Sequence, residues 1–178
     1  MRLSGILVLV LSLSACASKA PVSTGDEDEV DVPKTGWSEI EVQLPPYPDP
    51  KNLVIVEAGS ATSHKFYIDT SSISIGEDGV VRYVMVTKTE GGATNVSYEG
   101  IRCETREQKI FAFGSNGQWL RARDGKWQRI VLRDLKPYPF MLWREFFCAS
   151  GTRPVPVRRS VDALKRGVGL AQSRATDE

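Results

Sequence analysis

The stretch Val80-Val81-Arg82-Tyr83-Val84-Met85-Val86-Thr87 limits the fold more than any other. It is rich in β-branched residues, and both of its parities are largely apolar. Successive side chains of a strand point to opposite faces. Such a run therefore belongs to a central strand covered on both sides. The rest of the chain has to supply neighbouring strands and a cover for each face.

The neighbours are legible from composition and turn chemistry. Leu53-Val54-Ile55-Val56 has β-branched strand character, and Phe66-Tyr67-Ile68-Asp69 follows as a second short strand. Ser71 to Ile75 leads into the turn Gly76-Glu77-Asp78-Gly79, and Glu90-Gly91-Gly92 turns the chain again. Asn95 to Ile101 alternates, with Val96 and Tyr98 on one face. Lys109 to Phe113 is the next strand. Asn116-Gly117 predicts a tight hairpin, because both central residues of a type I′ turn need positive φ. Asp124-Gly125 offers the same chemistry between Gln118–Ala122 and Lys126–Val131. A two-residue loop there puts Trp119 and Trp127 on opposite faces, whereas a three-residue loop with a bulge puts both on one face. Both registers stay open.

Towards the C-terminus, Pro137-Tyr138-Pro139 predicts a helix starting at Phe140. Phe140, Trp143 and Phe147 share one helical face, and Leu142 and Phe146 an adjacent one, as in a buried helix packed on a sheet. A last strand through Phe146-Phe147-Cys148 is the competing reading. Residues 151–178 are basic. Ser160 could cap a short helix there, but Gly167 and Gly169 weaken it, so the expectation is a weakly helical or disordered tail. The fold class expected is α+β: a mainly antiparallel sheet of about six to eight short strands, with one helix packed near the C-terminal end and a disulfide staple.

The N-terminal residues have a different purpose. Arg2 precedes the apolar run Ile6 to Leu11, which is too short to span a bilayer but fits an export signal. The run ends in Leu13-Ser14-Ala15-Cys16, which looks like a lipoprotein signal cleaved before Cys16. Small residues enter the peptidase site there, and the Cys16 thiol takes the lipid. Residues 1–15 are then the signal peptide. Residues 16–44 form an acidic linker carrying Asp26-Glu27-Asp28-Glu29, extended by self-repulsion. Residues 45–150 form the β-rich domain, led in by Pro45, Pro46, Pro48 and Pro50. Within the linker, Trp37 to Val42 alternates briefly, as a short edge strand would.

Compartment and cysteine count bear on each other. The chain has three cysteines and one histidine. With Cys16 acylated, Cys103 and Cys148 remain, and two thiols in an oxidising compartment most simply form one disulfide. Cys103 as a nucleophile would need a base, and His64 is the only histidine. Basic and acidic residues nearly cancel, at 23 against 22, so no strong field points to nucleic acid. No Walker-type loop or metal-spaced Cys/His set occurs, and no cofactor or metal is expected.

The residues Asp78 to Tyr83, Gly92 to Cys103 with its block Tyr98-Glu99-Gly100-Ile101-Arg102-Cys103, Trp119, Trp127 and Phe146-Phe147-Cys148 resemble the CNP-like (cryptic neisserial protein-like) domain family. The likeness spans roughly Pro45 to Ser150. It implies an exported or lipid-anchored Gram-negative protein and no particular activity. The Phe66–Asp69 segment, before a Ser-Ser-Ile strand and a Cys-bearing strand, is similar to surface-adhesin protein E lipoproteins. Ala17 after the anchor cysteine implies, in the lipoproteins this resembles, export to the outer membrane, with the domain expected to face the periplasm.

The functional expectation is a non-catalytic envelope module that binds another protein or a surface polymer. Trp119, Arg121, Trp127 and Arg129 are its candidate surface, because Trp and Arg are common interface anchors. At least one of the two tryptophans is expected to help fill the core, as two Trp in one small domain usually do. Two alternatives are a cell-wall enzyme using paired carboxylates drawn from Glu99, Glu104, Asp69 and Glu90, and a small-ligand carrier. Glu99 and Arg102 could form a functional or structural ion pair.

Overall fold

A computed structural model describes residues 36–57, 63–131 and 138–170. The signal segment and Cys16 lie outside the described residues. The strands are β1 (Leu53–Val56), β2 (Lys65–Ile75), β3 (Val80–Lys88), β4 (Thr94–Arg102), β5 (Glu107–Ser115), β6 (Gln118–Arg121) and β7 (Gln128–Arg129). They form one antiparallel meander in the order β1-β2-β3-β4-β5-β6, with β7 also paired to β5. As expected, β3 is central, and Val80 to Val86 are all buried. Phe66–Asp69 and Ser71–Ile75 are a single strand rather than two, with an irregularity between Asp69 and Ser74.

Local turn chemistry holds at Asn116-Gly117. Ser115 pairs with Gln118, and the two loop residues have φ of 51° and 77°. Asp124-Gly125 does not make a hairpin. β5 is long enough to pair with both β6 and β7, through Ala112↔Arg121 and Gln108↔Gln128. Residues 118–129 are therefore one edge strand interrupted by a loop, and Trp119 and Trp127 both end on the same face.

The first face of the sheet carries Ile68, Val81, Tyr83, Met85 and Ile101. The C-terminal segment covers it. A short helix α1 (Tyr138–Met141) runs into a π-helical turn at Leu142–Phe147, and Phe140, Leu142, Phe146 and Phe147 are all buried. The helical alternative for this region is the one adopted, and the competing strand is reduced to β8 (Cys148–Ala149), paired with β9 (Arg153–Pro154). Cys103 and Cys148 form the expected disulfide, with Cα atoms 5.5 Å apart, and tie the end of β4 to the end of the π-helical turn.

Residues 157–166 depart from the expected tail. They form helix α2 (Val157–Arg166), packed on β1, β2 and the π-helical turn. Ala163 and Leu164 are almost completely buried, and burying a Leu is worth roughly 1.5–3 kcal/mol, more than weak propensity costs. Gly167 ends the helix rather than weakening it. It sits at φ 65°, and its amide reaches back to Ala163 and Leu164. Ser160 is not the cap; that position is Pro156, and Ser160 is buried within the helix.

The second face carries Val84, Val86, Val96, Tyr98 and Phe111, and its cover comes from the N-terminal side. Residues 37–47 form no edge strand. They cross this face as an extended strap, burying Val42, with Leu44 and Tyr47 packed against the same cluster. The compact unit therefore begins at Trp37, within the stretch expected to be linker.

Candidate functional site

The strap is held by the residues expected to face a partner. Trp119 donates its indole N–H to the Pro45 carbonyl at 2.8 Å, and Trp127 donates to Glu39 Oε2 at 2.8 Å. Arg121 donates to the Val42 carbonyl at 3.1 Å, and Lys109 grips Glu39 at 2.7 Å. Tyr47 lies over Trp119 and Trp37 stands edge-on to Trp127, with centroids 5.4 and 6.0 Å apart. Trp119, Arg121 and Trp127 are thus committed within the chain and do not form an open docking surface. Arg129 remains exposed on β7.

Glu99 and Arg102 are not partners across a site. Alternation along β4 sends them to opposite faces. Arg102 stacks on Trp37, 3.8 Å from the ring centroid, and lies 3.7 Å from Glu107. Arg82, also on the second face, is clamped by Asp78 through bonds of 2.9 and 2.6 Å, with the two side chains 4% and 0% exposed. The Nε atoms of Arg82 and Arg102 are buried without a hydrogen bond. Each of these guanidinium groups lies over a ring, Arg82 over Phe111 at 5.2 Å, which compensates part of that loss. Burial pushes the Asp78 carboxyl up. The Arg82 bonds and the amides of Ile40 and Val80 outweigh that and hold it below the usual carboxylate range.

Gly100, in the same block, is a close-packing point between β3 and β5. A Cβ there would come within 2.7 Å of Phe111 and 2.9 Å of Val80.

Glu99 is 2% exposed on the first face, under the helical cover. It accepts hydrogen bonds from Tyr83 Oη at 3.0 Å, Tyr138 Oη at 2.8 Å and Ser97 Oγ at 2.6 Å. Burial first, and then the neighbouring Glu99 carboxylate, raise both phenols well above the usual tyrosine range, so they keep their protons and donate. Glu99 lines one part of a cavity of about 250 Å³, together with His64, Phe66, Ile110, Phe113 and Tyr138. Asp69 faces the other side of the sheet and accepts from the amide and hydroxyl of Ser71. Glu90 and Glu104 are exposed in turns. Among the described residues, this cavity holds no second carboxylate beside Glu99.

A second cavity, of about 540 Å³, adjoins the first and shares Ile110, Phe113 and Tyr138 with it. Its outer wall is the loop between β6 and β7, with Arg123, Asp124 and Lys126. Gly125 lets that loop lie on β5, because a Cβ there would meet the Ile110 carbonyl at 2.7 Å. Together the two cavities make a trough along β5 on the first face. Sequence patterning misses it, because the exposed Phe113 looks like any strand residue and Asp124-Gly125 reads as a hairpin turn. Among the described residues, no group of three His, Cys, Asp or Glu side chains is placed to hold a metal ion.

A meander closed by a disulfide-stapled helical cover and an N-terminal strap describes this class of domain, and comparison with known sequences places it in a family. The chain belongs to the CNP1-like family, whose model matches residues 32–165. It is 26% identical over 194 residues to Cryptic neisserial protein 1 of Neisseria gonorrhoeae (strain ATCC 700825 / FA 1090), with 95% of each chain covered. No solved structure matches. The family match begins before Trp37 and runs through most of α2, so both the strap and the last helix lie within it.

Proposed function

We infer that this protein is a non-catalytic binding module of the cell envelope, lipid-tethered through Cys16 and presenting the trough along β5 to its ligand. The observation that carries the reading is the contrast between the two faces. One is crossed by the strap, which leaves a cavity of about 330 Å³ between Glu39–Val42 and β5, whereas the other opens between the helical cover and the β6–β7 loop into the trough, where Ile110 and Phe113 line both of its cavities. Ligand pockets are commonly of this size, about 300–1,000 Å³. The disposition of the acids supports a binding role over catalysis. Asp78 is spent on Arg82 and Glu39 on Lys109 and Trp127, while Glu99 accepts from three hydroxyls.

Leu13 to Cys16 supports the lipid tether, and Ala17 after the anchor cysteine supports an outer-membrane address. Labelling with a radioactive fatty acid, followed by membrane fractionation, tests this part. The wild-type chain is expected to label and to sediment with membranes, and the Cys16→Ser chain to do neither. An unlabelled wild type, or a Cys16→Ser chain that still labels, contradicts the tether.

A further inference from the structure

We propose that the trough binds a small amphiphile, its apolar or aromatic body lying on Ile110 and Phe113 and its single anionic head set between Arg123 and Lys126. The proposal rests on the trough as the binding site and adds the chemistry of its occupant.

The floor is apolar and open. Phe113, which lines both cavities, is 49% exposed, and Leu120, paired with it on β6 beside the trough, is 61% exposed. Large side chains left this open cost free energy in proportion to the apolar area facing water, about 25 cal/mol per Å². Covering them is the driving force for a ligand's body.

The rim is cationic, and its cations are available. Lys109 is neutralised by Glu39, and Arg121 is turned to the strap on the other face. Arg123 and Lys126 are exposed, and neither makes an ion pair with a described residue. Asp124 lies between them in sequence and offsets one of the two charges. Gln108 and Gln128, paired across β5 and β7 on this face, add amide donors beside the cations. An anionic head on an apolar body matches this arrangement, whereas a neutral apolar molecule leaves the cations unused. The head could be a carboxylate or a phosphate monoester.

The test uses the whole mature chain carrying Cys16→Ser, so its outcome does not depend on the tether. Fluorescence titration with 1-anilinonaphthalene-8-sulfonate measures binding of an anionic aromatic body, and neutral N-phenyl-1-naphthylamine is the control. Dodecanoate, dodecyl phosphate and dodecanol then compete. Saturable binding of the anionic probe is expected, displaced by dodecanoate, by dodecyl phosphate or by both, and not by dodecanol. The stronger competitor identifies the head. Lys126→Glu and Arg123→Glu should each weaken binding about tenfold, a change of about 1.4 kcal/mol, and Arg123→Lys should restore most of it. Phe113→Ser should abolish it. All four substitutions are at exposed positions, and unchanged thermal unfolding shows that the variants are folded. Absence of saturable binding overturns the proposal. Neutral and anionic probes binding alike, or charge reversal without effect, leave a binding trough but overturn its anionic specificity.

Discussion

Asp78 illustrates how one side chain closes a corner of this molecule. It takes both terminal nitrogens of Arg82 and the amides of Ile40 and Val80, and so joins the β2–β3 turn, the central strand and the strap. Removing it strands a buried guanidinium. Asp78→Ala should therefore lower unfolding free energy by about 3–5 kcal/mol, measured by urea denaturation. The pH dependence has a definite sign. A carboxyl held low in the folded state stabilises above its unfolded pKa of about 3.9, and that contribution disappears as pH falls through the lower folded value. The stability gap between wild type and Asp78→Asn should be flat at neutral pH and shrink only below about pH 4. A gap that shrinks near pH 6 instead would assign the effect to another group.

At the scale of elements, what the sequence disclosed depended on how local the cause was. The Asn116-Gly117 hairpin and the central β3 were legible because turn chemistry and two-face burial act within a few residues. The strap was not. Its contacts join residues 74 and 88 positions apart, such as Pro45 to Trp119 and Glu39 to Trp127, and no periodicity within residues 37–47 encodes them. The final helix was under-read for a related reason. Its glycines argue against helix locally, but Ala163 and Leu164 gain their burial from strands a hundred residues earlier. The disulfide was legible from cysteine count and compartment. It closes a loop across a sequence separation of 45, which in the chain-entropy model is worth about 4 kcal/mol. The Cys103→Ser, Cys148→Ser double variant should lose about that much stability in denaturant unfolding. A loss near zero would show that the staple adds nothing to a cover already held by Phe146 and Phe147.

For the whole molecule, the apolar character of β3 on both faces sets the plan. Each face is closed by one end of the domain, the strap on one side and the helical segment on the other. The trough lies where Tyr138 of the helical cover meets Phe113 of β5, and Phe113 is left half exposed there. Of the residues singled out from sequence, Glu99 and His64 line this site, and Trp119, Arg121 and Trp127 proved to be the seat of the strap. The signal at Phe113 was its exposure, which no sequence pattern carries.

The claim that the strap belongs to the folded unit is the one on which this plan depends. Thermal unfolding of Val42→Asp tests it most directly, with Glu41→Asp on the exposed side of the strap as control. Val42 is 7% exposed over Val84 and Val96, and a carboxylate there cannot dock. The substitution should lower the single melting transition by roughly 6 °C, corresponding to about 2 kcal/mol, while the control melts with the wild type. A Val42→Asp chain that melts at the wild-type temperature would contradict the account.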